Sequence, residues 1–429
     1  MIGVGSLLLF GLLAVGLPVA VVLIVVALTM DQLYSFFPLF PAMGEILWGA
    51  MANFKLIAVP LFILTGEILL RSGIAQDMFS GIDQWLRRVP GRLLHTNIAS
   101  SALFAATSGS SVATAATIGT VAMPQMKRGN YNAPMFLGSI AAGGTLGILI
   151  PPSINMIIYG VLADVSISRL YLAGLIPGVL LALLFSGLVL VLFWLMPSLG
   201  GRSEDRASWR DRLLGLRGTV PPLLLFALMV GSIYVGIATP TEAAALGVLG
   251  ATVLTAARGR LSWSLMAMAL NNTMRITCMV MFIVAAAVLV NFVIVGIGFT
   301  GQLSSFVTGL DVAPLTVMLV IVVIYLILGC FMETLSLMIA TTPIVVPIVV
   351  ALGYDPLWFG ILFMILIEAA LITPPIGVNL FVVQSVRGGG PFRDVMIGAL
   401  PFLAMMLVMI GLLLAFPQLA TWLPQAVRG

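Results

Sequence analysis

Charge is what this sequence has least of. Of its 429 residues, 19 are Lys or Arg and 15 are Asp or Glu, 8% in all, against 61% hydrophobic residues. A soluble domain carries about 25% charged residues. The shortage excludes a water-soluble globular protein and leaves an integral membrane protein of many spans, with a mean hydropathy of +1.20. Histidine is represented by His95 alone, which leaves no histidine-based metal site or catalytic triad. The two cysteines, Cys278 and Cys330, lie in apolar runs and have neither a disulfide framework nor metal-ligand spacing. No nucleotide-binding P-loop occurs. The apolar runs are continuous and not alternating, which excludes a membrane β-barrel. The first thirty residues hold no Lys or Arg and no polar cleavage region, so they read as a retained span and not as a signal peptide. The net charge of +4 reports loops facing the cytoplasm, not a nucleic-acid partner.

Spans of about 20 apolar residues are expected at 5–28, 53–70, 132–160, 171–196, 220–238, 242–257, 271–298, 357–384 and 396–416. Two apolar pairs, 93–126 and 313–349, are interrupted by the small polar runs TSGSSVAT and GCFMET and read as re-entrant hairpins. Basic residues mark the cytoplasmic loops. They are Arg71, Arg87, Arg88 and Arg92 before the first hairpin, Lys127 and Arg128 after it, then Arg202, Arg206, Arg210, Arg212 and Arg217, Arg258 and Arg260, and Arg387 and Arg393. The opposite loops hold Asp31, Glu45, Asp164, Asp311 and Asp355, with Arg169 as an exception. This places the N-terminus in the cytoplasm and the tail outside, where Arg428 is a second exception.

Proline breaks two of the apolar stretches in the same way. Pro151-Pro152 in ILIPPSINMIIYG and Pro374-Pro375 in LITPPIGVNLFVV lie 223 positions apart (374 − 151). The same shift carries Pro124 onto Pro347, Tyr131 onto Tyr354, Gly73-Ile74 onto Gly296-Ile297 and Ser111 onto Thr334. With one residue of slippage, Gly174 and Pro177 fall on Gly398 and Pro401, and Asn155 nearly meets Asn379. Five full spans separate the hairpins in this reading, so the second copy enters from the opposite face. That is the inverted repeat of secondary transporters, whose broken helices meet near the bilayer midplane and line an ion and substrate site. Unpaired backbone at that depth is tolerated only where protein or a polar cavity encloses it.

The fold expected is therefore an all-α polytopic membrane protein with an inverted repeat, two re-entrant hairpins and two broken helices. Residues 71–170 and 271–395 are the repeat cores and form a moving transport domain. Residues 1–70, 171–270 (with a cytoplasmic loop at 197–219) and 396–429 form a scaffold. Hydroxyls and carbonyls at the first tip suit Na⁺, a hard cation that takes oxygen ligands. Two Na⁺ sites related by the repeat are expected. The first uses Ser108, Ser110 and Ser111 with Gly147, Ile150 and Pro152. The second uses Gly329, Met332, Glu333 and Thr334 with Thr373, Pro375 and Val378. Ser111, Asn155, Thr334 and Asn379 are the substrate candidates. Thr114 adds a hydroxyl and Gly109 permits close approach. Glu333, which coincides with Ser110, is open to three roles: ion ligand, proton relay or helix cap. Glu67 and Glu368 are also intramembrane acids and rank lower, with basic or polar company to pair them. Arg275 snorkels, and Glu242 in TPTEAAALGVLGA is read as structural. An intramembrane enzyme is disfavoured, because no His pair, Asp pair or Ser/Lys arrangement is spaced for one.

These motifs resemble the large membrane subunit of the tripartite ATP-independent periplasmic (TRAP) transporters, the DctM-like permeases. The resemblance runs over nearly the whole chain, through PLFILTGEIL at 60–69, GSSVATAATIGTVAMPQM at 109–126, GTLGILIPPSINMIIYG at 144–160, TPTEAAA at 239–245, GCFMETLSLMIATTPIVVPI at 329–348 and LITPPIGVNLF at 371–381. The family often carries Asp where this chain has Glu333. The resemblance implies the elevator-type ion-transporter architecture and Na⁺-coupled uptake of an organic carboxylate such as a C4-dicarboxylate or sialic acid, with at least two Na⁺. It also implies a small four-helix (DctQ-like) membrane subunit, a soluble periplasmic (DctP-like) binding protein and a multi-pass location in a bacterial or archaeal inner membrane. A stand-alone Na⁺/carboxylate symporter or ion antiporter would share the broken-helix design.

Overall fold

The computed structural model describes residues 2–35, 38–197, 208–309 and 312–427, which form twenty α-helices and one short 3₁₀ turn, with no strand among the described residues. Asp311, Arg202, Arg206 and Arg428, used above for orientation, lie outside the described residues. The expected first span is two helices, α1 (Ile2–Ala14) and α2 (Val19–Tyr34), because Gly16 has φ +84° and Pro18 stands as the N-cap of α2. A helix the hydropathy did not single out follows, α3 (Leu39–Met51), tied back when the Leu39 N–H donates to the Asp31 carboxylate at 2.9 Å. Then come the turn Phe54–Ile57 and α4 (Ala58–Arg71), bent 54° from α3. The amphipathic α5 (Ile74–Leu86) leads to the first hairpin, α6 (Leu93–Ser108) and α7 (Ser111–Arg128).

The first broken helix is α8 (Ala133–Leu149) with α9 (Ile154–Leu162), bent 42°. α10 (Ile167–Leu195) follows. Part of the expected loop at 197–219 is helical: α11 (Trp209–Tyr234) begins there because Ser208 and Asp211 form a capping box. Those Ser208 bonds hold the Asp211 carboxyl below the usual carboxylate range. α12 (Pro240–Ala257) starts with a second capping box, Thr239 with Glu242, which gives Glu242 the structural role expected of it. α13 (Trp263–Gly296) and the short α14 (Phe299–Thr308) precede the second hairpin, α15 (Pro314–Gly329) and α16 (Thr334–Ala351). The second broken helix is α17 (Pro356–Leu371) with α18 (Val378–Arg387), followed by α19 (Phe392–Ala415) and α20 (Gln418–Ala426).

Between the hairpins stand five elements of spanning length: α8 with α9, α10, α11, α12 and α13. The repeat recurs in capping as well as in order. Asn132 accepts from the Met135 N–H to cap α8, and Asp355, 223 positions on (355 − 132), accepts from the Leu357 N–H to cap α17. Ser110 caps α7 and Glu333 caps α16, again 223 apart (333 − 110). Both Pro-Pro bonds are cis.

Small residues decide the packing, as they must where lipid gives helices no hydrophobic reason to associate. α8 and α19 cross backbone to backbone at Gly138 and Gly398; a Cβ on Gly398 would run into the Pro134 carbonyl. On α10, Gly174 meets the Leu149 carbonyl and Gly178 meets Ile150. The helices of 171–196 and 396–416 lie on the broken helices, whereas α13, which begins the expected second repeat core, packs with α2, α3 and α4. The physical reason is that glycine faces set the neighbours, which hydropathy alone does not register. On the side of the basic loops, Asp77 of α5 is bound by Arg258 and by Arg260 at 2.8 Å, and α5 lies along α11.

Replacing Gly398 with Val should destabilise the fold by about 3 kcal/mol or more, at the upper end of overpacking, because rigid backbone stands in the way. Gly411→Val, where a Cβ meets nothing within 4 Å, is the control. Thermal melting of the two purified variants separates them.

Candidate functional site

The site begins with missing donors. In an α-helix each N–H bonds the carbonyl four residues back, and proline has none to give. Pro151 and Pro152 therefore leave the carbonyls of Gly147 and Ile148 without helical partners. Pro374 and Pro375 do the same to Ala370 and Leu371, although Ala370 regains a bond from the Thr373 N–H at 3.3 Å. Unsatisfied groups of this kind cost several kcal/mol each in lipid, so what covers them decides whether the break survives.

At the first break the cover is the tip of the first hairpin. Gly109 turns the chain with φ +62°, and a Cβ there would lie 2.9 Å from the Pro152 carbonyl oxygen. Gly147 reciprocates: a Cβ on it would sit 2.7 Å from Ser110 C and Ser111 N. Along α8, Gly143 faces Ser101 and Gly144 faces Ala115, so one glycine stripe receives both legs of the hairpin. Ser111 Oγ donates to the Thr145 carbonyl at 3.1 Å, and Ser108 Oγ lies 3.0 Å from Thr114 Oγ1. Ser110 accepts from the Ala113 N–H as a cap. Ser108, Ser111, Gly147, Ile150 and Pro152 are all buried, with Ser110 partly so. The first group of expected residues is thus brought together into one enclosed cluster whose side-chain polar atoms are oxygens. That chemistry fits a hard monovalent cation.

The second copy is assembled differently. Gly329 lies against Ala370, the position 223 residues after Gly147, so this tip also reaches the level of its break. Glu333, Pro375 and Ile376 are exposed, and Met332, Thr373 and Val378 are partly so. Glu333 accepts from the Ser336 N–H at 2.9 Å, the Ser336 hydroxyl at 3.0 Å and the Thr334 hydroxyl at 3.1 Å. Of its three open roles, the cap is the one built in these contacts. Thr373 Oγ1 donates to the Ala369 carbonyl at 2.6 Å. Among the described residues no hydrogen bond joins tip 330–334 to break 373–378.

Asn155 and Asn379 both open the half-helix after a break. The Asn155 amide nitrogen has no hydrogen-bond partner, and Asn379, fully buried, donates to the Ala141 carbonyl at 3.3 Å while its amide oxygen has none. Of the two lower-ranked acids, Glu67 is paired as expected, with Arg71 at 2.9 Å and with Asn272. Glu368 is not. It is fully buried and neither carboxyl oxygen has a hydrogen-bond partner, which corrects the expectation of polar company. Arg275 is exposed, in keeping with snorkelling. Sequence reasoning also missed Ser153, which caps α9; Tyr171, whose hydroxyl donates to the Ser153 carbonyl at 3.4 Å; and Gly66, which abuts Ser108. The spacing of Gly143, Gly144 and Gly147 was the available signal for the close approach.

Two helix hairpins and two helix breaks, in two copies of an inverted repeat, are the arrangement of membrane transporters. The comparisons with known proteins narrow this. The family described as "Tripartite ATP-independent periplasmic transporter, DctM component" matches residues 6–419, and the chain belongs to it. It is 33% identical to the sialic acid TRAP transporter large permease protein SiaM of Vibrio cholerae, over 98% of this chain and 97% of that one. It is 35% identical to the C4-dicarboxylate large permease DctM of Pseudomonas aeruginosa, over 88% of each chain. The ectoine large permease TeaC of Halomonas elongata is 31% identical over 96% of each. Among solved structures, the Alcanivorax borkumensis YdaH transporter matches with a TM-score of 0.66 at 14% identity, covering 92% of this chain and 96% of that one. Neisseria gonorrhoeae MtrF, from a class of antimetabolite efflux pumps, matches with a TM-score of 0.61 at 13% identity, covering 93% and 94%. At such identity these two share the fold alone.

Gly147→Ala should push the tip off the break, lowering the melting temperature by the equivalent of about 1–3 kcal/mol and slowing uptake. Gly187→Ala, where a Cβ meets nothing within 4 Å, should change neither. Equal behaviour of the two variants would show that the tip does not rest on Gly147.

Proposed function

We propose that the chain is the large permease subunit of a TRAP transporter that takes up an organic carboxylate across a bacterial or archaeal inner membrane. It works with a small four-helix membrane subunit and receives substrate from a soluble periplasmic binding protein. A Na⁺ gradient supplies the driving force. The observation that carries this reading is the seating of the 109–110 tip on the 150–153 break, which gathers oxygen ligands and no cationic side chain. Relatives named for sialic acid and C4-dicarboxylates support the substrate class. Ser108, Ser111 and the freed carbonyls of the first break hold the coupling ion. A second ion site uses the Gly329–Thr334 tip and the Thr373–Val378 break, which close on each other as substrate is enclosed. Backbone N–H groups at the starts of α9 and α18, with Asn155 and Asn379, offer donors to the carboxylate.

The moving body comprises the hairpins and broken helices together with α10 and α19, because the glycine crossings bind those two helices to the breaks. The fixed body comprises α2–α4 and α11–α13 with the small subunit. Moving the site whole keeps its unpaired carbonyls away from lipid.

Uptake by the reconstituted three-component system should require an inward Na⁺ gradient; full activity with a proton gradient alone refutes the coupling. Phe62 of α4 and Tyr171 of α10 have ring centroids 6.3 Å apart. Cysteines at these two positions, joined by a short thiol crosslinker, should stop transport reversibly while the protein stays folded. Normal transport with the link in place would replace the moving body with local gating.

A further inference from the structure

α11 is too long for the membrane it crosses. Its 26 residues extend about 39 Å at 1.5 Å per residue, against a hydrocarbon core of about 30 Å. Every charged residue of the helix lies within 209–217: Arg210, Asp211, Arg212 and Arg217. The excess length therefore stands at that end, in the headgroup layer on the side of the basic loops. There α11 lies along the amphipathic α5, and the two cross on glycine. A Cβ on Gly81 would run into the Gly215 carbonyl, and one on Gly218 into the Asp77 carbonyl. A groove of about 570 Å³ opens between the two helices.

The groove is basic, and its cations outnumber the acids able to pair with them. Arg217 and Arg258 both line it. Arg258 reaches the Asp77 carboxylate and, at 2.6 Å, the Arg217 carbonyl. Asp77 is shared, since Arg260 binds it as well at 2.8 Å. The other acid of the groove, Asp211, is turned to its own cap, where it accepts from the Ser208 N–H at 3.0 Å and the Ser208 hydroxyl at 2.7 Å. Among the described residues the Arg217 guanidinium makes no ion pair and no hydrogen bond. Arg212 lies against the Trp209 ring, 5.0 Å from its centroid, and does not line the groove. Three guanidinium groups thus meet one carboxylate that is free to pair. Ser80 and Gln84 add neutral donors to the lining. One wall is apolar: Leu214 lines the groove and is exposed, and Trp209 and Leu213 beside it are exposed too. Exposed tryptophan and leucine at headgroup level meet lipid. An occupant of this groove has to offer negative charge at one end and hydrocarbon at the other.

We propose that the groove between α5 and α11 holds an anionic phospholipid of the leaflet beside the basic loops. Its phosphate lies between Arg217 and Arg258, with Ser80 and Gln84 as donors, and its acyl chains run along Leu213 and Leu214. Basic pockets between helices at this level are suited to phospholipid headgroups. None of the lining residues belongs to a hairpin or a break, so the site stands independently of the Na⁺ reading.

The test uses the purified full-length chain, stripped of lipid in detergent and melted with added phosphatidylglycerol, phosphatidylcholine or inorganic phosphate. Phosphatidylglycerol should raise the melting temperature, and the other two should not. Arg217→Gln removes a cation that has no partner to lose. It should need about fivefold more phosphatidylglycerol for the same rise, as expected of one arginine beside an anionic headgroup. Ser80→Asp, which brings a carboxylate into the groove, should weaken the response at least as much. Arg393→Gln, at an exposed arginine of another basic loop, should respond as wild type does. Equal responses of wild type and Arg217→Gln overturn the proposal, and so does an equal loss in Arg393→Gln, which would mark diffuse attraction to any basic loop. No rise in wild type, or an equal rise with phosphatidylcholine or inorganic phosphate, overturns it as well. If the variants do not fold, native mass spectrometry of wild type decides: phosphatidylglycerol should be retained in preference to phosphatidylcholine at equal supply, and equal retention overturns the proposal.

Discussion

The structure depends on one constraint: a backbone carbonyl without a donor cannot face lipid. Two Pro-Pro pairs create such carbonyls in the middle of two apolar stretches, and the neighbouring elements are arranged to cover them. The first hairpin is needed because the 150–153 break must be capped by something that brings oxygens without bulk. Its tip is therefore Ser and Gly, and the helix that receives it carries glycine at 143, 144 and 147. The same demand accounts for Gly174 and Gly178 on α10, which let a long apolar helix lie on the other side of the break.

The two copies obey that constraint unequally. The first tip and break are closed on each other and buried, while the second tip and break leave Glu333, Pro375 and Ile376 exposed. A tip and break that are equivalent in sequence order are thus closed in one copy and open in the other.

Much of this was legible in the sequence. Composition identified a membrane protein. The repeated order of polar break, proline, tyrosine and double proline located both hairpins and both breaks, and the observed helices α6–α9 and α15–α18 fall where those signals lie. The misses have physical causes. The helices α3, α5, α14 and α20 are short or amphipathic and carry no long apolar run to announce them. The first span is two helices because a Gly and a Pro within a continuous apolar stretch leave its hydropathy unchanged. The neighbours of α10 and α19 were not legible because packing partners are set by glycine faces, which become visible only when helices are laid together. The solitude of Glu368 was not readable at all: company is a three-dimensional property, and neighbours in sequence are a poor guide to it.

The backbone crossing of Gly138 and Gly398 joins the two repeats at a point where neither can gain an atom. Asn379 reaches back to the Ala141 carbonyl, and Tyr159 reaches forward to that of Pro356. Each half thus keeps part of its interior in the other's possession. A substitution at the crossing therefore disturbs both repeats, whichever of them carries it.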